Sequence, residues 1–201
     1  MQKAVIQTSL GWVAAAATSD GIYCTTLPQL TEVQAWDHLD EELKLRSRRP
    51  GKGRHGATAG GASITGTVAP VDDAAPNGDT AAKAHLDGYR AALAAYSAGA
   101  AGRLAEIPLD LTGLPEFHLR VMQACRRIPA GETRSYAWLA RAAGSPDACR
   151  AAGNAMARNP VPLLVPCHRV LRTGGGLGGF GGGLPQKRAL LAHEGWKDQQ
   201  D

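Results

Sequence analysis

Three prolines, at 160, 162 and 166, constrain this chain more than any other feature, because they punctuate the stretch Asn159-Pro160-Val161-Pro162-Leu163-Leu164-Val165-Pro166-Cys167-His168-Arg169-Val170. Each fixes its own φ and pushes the residue before it toward extended geometry, so the backbone arriving at Cys167 is stiff and cannot be a helix interior. The run from Val161 to Val165 reads as a short buried segment that aims a thiol. His168 and Arg169 beside that thiol are groups that favour a thiolate. On these residues alone two readings stay open. A free cysteine after an apolar run often packs as an inert small hydrophobe, and neighbours in an extended segment point opposite ways, so His168 need not touch the sulfur.

With 201 residues the chain can bury a real core and suits one large or two small domains. Its net charge of +4 is uneven: residues 115–201 carry twelve Lys and Arg against six Asp and Glu, which leaves residues 1–114 slightly acidic. A basic half suits a polyanionic partner, and it also suits an ordinary solvated surface. No stretch approaches the roughly 20 apolar residues that cross a bilayer, and the N-terminus lacks a secretory pattern, so a soluble cytoplasmic protein with no membrane partner is expected. Cys24, Cys125, Cys149 and Cys167 form no C-x-x-C and no disulfide framework. Cys24, His38, His55 and His85 are weighed as a metal set against the simpler reading of scattered residues, and no metal is expected.

Residues 2–8, 10–17 and 21–27 read as short strands with turn signals at Ser9-Leu10-Gly11 and Ser19-Asp20-Gly21, hence a small antiparallel sheet. Val33, Trp36, Leu39 and Leu43 recur at helical spacing over Leu30–Leu45. From about Arg46 to Thr80 large apolar side chains are nearly absent, which predicts a disordered or loosely held insertion. The basic run Lys44, Arg46, Arg48, Arg49, Lys52 and Arg54 at its start reads as a solvated linker, with a supplementary nucleic-acid arm as the alternative. Leu86, Tyr89, Leu93 and Tyr96 mark a helix over Ala81–Ala98 that packs on the sheet. Ile107–Leu111 then reads as extended chain leading to a domain boundary near Thr112-Gly113.

The second half opens helically. Pro115 suits a helix start, and Phe117, Val121, Cys125 and Ile128 form one stripe. Ser135 caps a helix carrying Tyr136, Leu139 and Ala140 that stops at Gly144, and Ser145-Pro146 caps and opens a third helix, Asp147 to about Arg158. This predicts a helix-turn-helix with the third helix in the recognition position. Its Arg150-Ala151-Ala152-Gly153-Asn154-Ala155 sets one long cation among side chains small enough for close approach to a core or a nucleic-acid groove. The glycine loop Thr173–Gly183 lacks phosphate-loop spacing and reads as a flexible wall for a flat ligand. Lys187–His193 closes the chain as a helix, with Glu194 just beyond.

Pro166-Cys167-His168-Arg169-Val170, preceded by Asn159-Pro160, resembles the acceptor motif of the O6-alkylguanine-DNA alkyltransferases, also called methylated-DNA-protein-cysteine methyltransferases. The likeness runs ungapped from about Pro115 to Gly195 and more weakly through the first thirty residues and Leu86–Leu111. It implies an α+β protein: an RNase H-like N-terminal α/β scaffold domain, 1–111, without the nuclease site, then a mostly helical domain, 115–197, that binds DNA and accepts the alkyl group. Some members hold a zinc in the first domain. The resemblance implies that Cys167 attacks the alkyl carbon of O6-alkylguanine, and of O4-alkylthymine, in double-stranded DNA. His168 would take the thiol proton through a water, Glu194 would orient His168, Asn159 would brace the turn, and Tyr136 would serve the departing base as a proton or hydrogen-bond donor.

By the same resemblance Arg150 would fill the vacancy left by a flipped nucleotide at the minor groove, and Ala151 and Gly153 would permit close approach. Arg158 and Arg169 would meet the DNA, and the carbonyls of Val165 and Cys167, with Phe180, Gly181 and Gly182, would form the base pocket. Phe180 stands where members often have Tyr, and Gly181 where some have Ser. A thioether product has no easy leaving group, so each molecule would act once, as a monomer without a cofactor, in the cytoplasm, nucleoid or nucleus. The rival readings are an alkyltransferase-like protein, which lacks the acceptor cysteine, a Cys-His peptidase or acyltransferase, and a helix-turn-helix regulator without chemistry.

Overall fold

The computed structural model describes residues 1–48 and 78–197, so most of the insertion expected at 46–80 lies outside the described residues, as do Arg49, Lys52, Arg54 and His55. Strands β1 (Gln2–Thr8), β2 (Gly11–Ala17) and β3 (Ile22–Thr25) form an antiparallel sheet in that order. β1 and β2 pair from Thr8↔Gly11 to Gln2↔Ala17. Gly11 makes the turn at φ 123°, where an added β-carbon would lie 2.5 Å from the Gln29 carbonyl oxygen, so a side chain is excluded twice over.

Helix α1 (Glu32–Ser47) covers one face of the sheet and α2 (Gly78–Ser97) the other. Central β2 is buried on both faces: Val13, Ala15 and Ala17 meet the α2 side, Ala14 and Ala16 the α1 side. Leu86, Tyr89, Leu93 and Tyr96 of α2 are all buried, as their spacing predicts. Of the four residues expected on the inner face of α1, Leu39 is buried and Trp36 and Leu43 pack half-buried against the same cluster, while Val33 is 68% exposed and Ala35 and Arg46 are buried instead. The sheet face beneath it is made of alanines, and small Ala35 lets the helix backbone come close to them.

Arg46, expected in a solvated run, is 6% exposed. Its guanidinium stacks 3.5 Å from the Tyr23 ring centroid and donates to the carbonyls of Tyr23 and Thr112, the latter at 2.9 Å. The chain at 107–111 is extended, as expected, and it runs beside β3: Ile22 N–H donates to Pro108 O, and Asp110 N–H donates to Ile22 O, each at 2.9 Å.

The second half contains α3 (Glu116–Arg126), β4 (Arg134–Ser135), α4 (Tyr136–Ala142), α5 (Cys149–Ala157), β5 (Val170–Leu171) and α6 (Gly183–His193), with β4 parallel to β5. Gly144, at φ 75°, ends α4. Ser145 does not cap α5. Its carbonyl accepts Ala148 N–H in a separate turn, and α5 begins only at Cys149 behind Ala148, which offers no capping side chain. Ser135 does cap α4, accepting Trp138 N–H at 3.1 Å. Ser135→Ala is expected to cost about 1 kcal/mol in urea unfolding, as the loss of a helix cap does.

One apolar core runs through both halves, from Val13 and Tyr89 to Val121, Val161 and Leu190. Polar stitches fix the proline stretch to the end of β3: Thr25 N–H donates to Pro160 O at 2.9 Å and Thr25 Oγ1 to Pro162 O at 3.1 Å. The sheet thereby holds the loop that carries Cys167. Among the described residues, no helix is long and apolar enough to cross a membrane.

Candidate active site

The proline stretch doubles back instead of running extended into the cysteine. Val165 N–H donates to Val161 O at 2.9 Å, Leu163 sits at φ 69°, and Cys167–Arg169 forms one turn of 3-10 helix. A leucine in the left-handed region costs roughly 1–3 kcal/mol, offset here by full burial of Leu163 and by Asn159. That side chain donates to Val165 O at 2.7 Å and accepts Val161 N–H at 3.1 Å, closing the turn from both ends. Cys167 N–H also donates to Val165 O, at 2.8 Å. The Val165 carbonyl therefore already accepts two hydrogen bonds and is not free to read a base, contrary to expectation.

Behind the cysteine lies a sealed polar cluster. Glu194, at the C-cap of α6 with its side chain 1% exposed, is 2.9 Å from His168 Nε2, accepts the Tyr96 hydroxyl at 2.9 Å, and takes Arg169 Nε and Nη2 at 2.7 Å each. Burial works to raise the Glu194 carboxyl, but bonds from His168 and Arg169 outweigh it and bring the group down to about 2. An ionised carboxylate only accepts, so His168 carries its proton on Nε2 and turns a basic Nδ1 the other way. Burial, with Arg169 and Lys187 adding to it, holds the imidazole below its ordinary value, hence neutral near pH 7. Nδ1 is buried and has no protein partner.

Arg169 is thus not at a nucleic-acid surface. It is 7% exposed, bidentate to Glu194, and donates through Nη1 to Ile128 O at 2.5 Å. Nor do His168 and Arg169 hold the thiol ionised. Burial raises the Cys167 thiol, and the groups pulling it down are Asn159, the Lys187 charge and the backbone amides of the turn. Cys167 rests as a thiol that needs a base.

Lys187 was missed as a site residue. It is 0% exposed on α6 and donates to Val170 O at 2.6 Å and Leu177 O at 2.5 Å, tying the cysteine turn to the glycine loop. Burial brings its ammonium down to about 8, against an opposing pull from the thiols of Cys167 and Cys125. Its place three and four residues before buried Leu190 and Leu191 was the available signal: a lysine on the apolar stripe of a helix. Lys187→Met is expected to move the pH midpoint of iodoacetamide labelling at the Cys167 peptide upward by on the order of one unit, read by mass spectrometry.

A cavity of about 800 Å³ opens over Cys167 and is lined by Tyr136, Arg150, Gly153, Asn159, Phe180, Gly181 and Gly182, with Cys149, Met156 and Arg172 added. Residues of the first half line it too, including Thr25, Gln29, His38, Glu41 and Glu42, of which the sequence had singled out His38 alone, in the set weighed for a metal. The Tyr136 ring lies between two glycines: a β-carbon at Gly153 would be 3.9 Å from it, and one at Gly178, φ 71°, would be 3.4 Å. Burial first, then the neighbouring cysteines, raise the Tyr136 phenol, so it keeps its proton. Arg150, Ala151 and Arg158 lie on the exposed edge of α5. Among the described residues, no group of three or more His, Cys, Asp or Glu is placed to hold a metal ion.

The family description "6-O-methylguanine DNA methyltransferase, DNA binding domain" matches residues 116–196. A methylated-DNA--protein-cysteine methyltransferase of Mycolicibacterium paratuberculosis is 50% identical over 102 residues, 51% of this chain and 61% of that relative, so the match spans about three fifths of the relative's length. The crystal structure of Mycobacterium tuberculosis O6-methylguanine methyltransferase superposes with a TM-score of 0.60 at 29% identity, covering 96% of this chain and 93% of that one. The structure of the Mycobacterium tuberculosis OGT in complex with DNA gives 0.57 at 27% identity, covering 97% and 93%. These matches agree with the mixed α/β architecture, and residues 116–196, the part of the chain that is similar to the 6-O-methylguanine DNA methyltransferase family, carry every member of the buried cluster except Tyr96.

Proposed function

We propose that this protein repairs DNA by transferring the alkyl group of an O6-alkylguanine irreversibly to Cys167. The observation that carries this reading is the placement of the Cys167 thiol and the Tyr136 phenol on one open cavity, with the His168–Glu194 pair sealed behind the thiol. Neutral His168 takes the thiol proton on Nδ1 through one water, and Glu194 stabilises the imidazolium that forms. The thiolate attacks the alkyl carbon, the S–C bond forms as the C–O6 bond breaks, and Tyr136 donates to the base so that it need not leave as an anion. Asn159 holds the turn, and Lys187 supplies positive charge near the sulfur as it ionises.

The target lies inside a duplex, so the nucleotide is everted at a cost of a few kcal/mol. The Mycobacterium tuberculosis neighbour in complex with DNA supports DNA as the partner. Helices α4 and α5 serve as a helix-turn-helix at the minor groove: Arg150 enters the stack, Ala151 and Gly153 allow close approach, and Arg158 meets phosphate. Phe180, Gly181 and Gly182 wall the base pocket, where backbone amides take the place of the missing hydroxyls. Residues 1–111 act as an RNase H-like scaffold and 115–197 as the acceptor domain, in a cytoplasmic or nucleoid-associated monomer that also accepts O4-alkylthymine. A Cys-His peptidase reading is disfavoured because the His168 ring bonds Glu194, not the sulfur. The test is intact-mass analysis after mixing with an O6-methylguanine duplex, which should add one methyl to the Cys167 peptide; unmodified peptide after complete exposure defeats the reading.

A further inference from the structure

A second cavity, of about 660 Å³, shares no lining residue with the first. Its charged lining groups are all cations, Arg126, Arg127 and Arg169, joined by the amide of Gln123 over walls of small residues such as Ala105 and Ala130. Arg169 is matched by Glu194, but neither Arg126 nor Arg127 has a carboxylate within 4.0 Å among the described residues. Arg126 Nη2 donates to the carbonyls of Ala105, at 2.8 Å, and Ile107, while its Nε is buried with no partner.

We propose that this cavity binds a small phosphate-bearing molecule of nucleotide size. Guanidinium forks match phosphate oxygens in geometry and charge, and no carboxylate among the lining residues opposes them. The volume falls among those of ordinary ligand pockets, and the small side chains of the walls leave room for a flat organic body that a duplex backbone would not fill. The ligand would lie beside Arg169, whose Nη1 is held by Ile128, another lining residue, and whose other two nitrogens grip Glu194. It would therefore share the guanidinium that orders the cluster behind Cys167. The binding inference stands independently of alkyl transfer.

The test is an amide-shift titration of the full chain with AMP and with pyrophosphate at constant ionic strength. Saturable shifts centred on Ala105, Gln123 and Ala130 are expected. Arg127, being exposed, can be changed without opening the core. Arg127→Gln should weaken binding by about tenfold, the effect of losing one charge-assisted bond, whereas Arg141→Gln on the exposed face of α4 should bind as the parent does. Unsaturable shifts spread over the basic surface, equal affinity in Arg127→Gln, or displacement of AMP by an undamaged duplex would each overturn the proposal.

Discussion

Replacing Cys167 with serine is expected to abolish methyl uptake from an O6-methylguanine duplex while leaving binding to that duplex intact. A serine hydroxyl is a far weaker nucleophile than a thiolate and far harder to ionise, so the same turn, base and cavity would bind the damaged nucleotide without reacting. The other cysteines provide the control. Cys24 is buried under α1, with burial first and Glu42 second pushing its thiol up to about 12, and Cys125 is raised well above its ordinary value by burial. Neither offers a thiolate near neutral pH. Cys149 lines the same cavity as Cys167 and is the informative comparison. Cys149→Ser should gain one methyl mass as the parent does, and a methyl found on the Cys149 peptide of Cys167→Ser would show that the acceptor has been misassigned.

Glu194→Gln is expected to be the most damaging single change to stability, costing about 3–5 kcal/mol in denaturant unfolding, because it leaves the charge of Arg169 buried and unpaired. It should also slow alkyl transfer by on the order of 10²-fold or more, since His168 loses both the group that fixes its tautomer and the charge that stabilises its protonated form. The same cluster sets an acid limit. Glu194 is depressed in the folded chain from an ordinary 4.5 to about 2. Its contribution is therefore present above about pH 4.5 and is lost as pH falls toward 2, amounting to about 3 kcal/mol. Urea midpoints measured across that window should fall steeply for the parent and only weakly for Glu194→Gln. Glu116→Gln removes an exposed pair with Arg120 and should leave stability nearly unchanged.

Features governed by neighbours in the chain were legible from the residues alone. The apolar stripe of α2, the cap at Ser135, the stop at Gly144 and the extended run at 107–111 follow from helix periodicity, side-chain capping and glycine φ, all settled within a few residues. The acceptor stretch was legible as a stiff, non-helical carrier of Cys167, although its doubling back at Leu163 was not, because that turn depends on bonds Asn159 makes across it.

What local pattern could not supply is which charges are sealed together. Arg169 reads as a surface cation beside a reactive cysteine, and Lys187 as an ordinary helical lysine, yet both are buried. Tyr96 meets Glu194 across 98 residues of sequence, and Thr25 meets Pro162 across 137. A charge can leave water only where a partner waits to receive it, and that partner is brought up by the packing of two distant halves on one core. The order of residues singled out Cys167 as the candidate nucleophile and made the chain that leads to it stiff. Only the folded chain decided that Glu194, which the resemblance set behind His168, also holds the buried Arg169 guanidinium away from solvent.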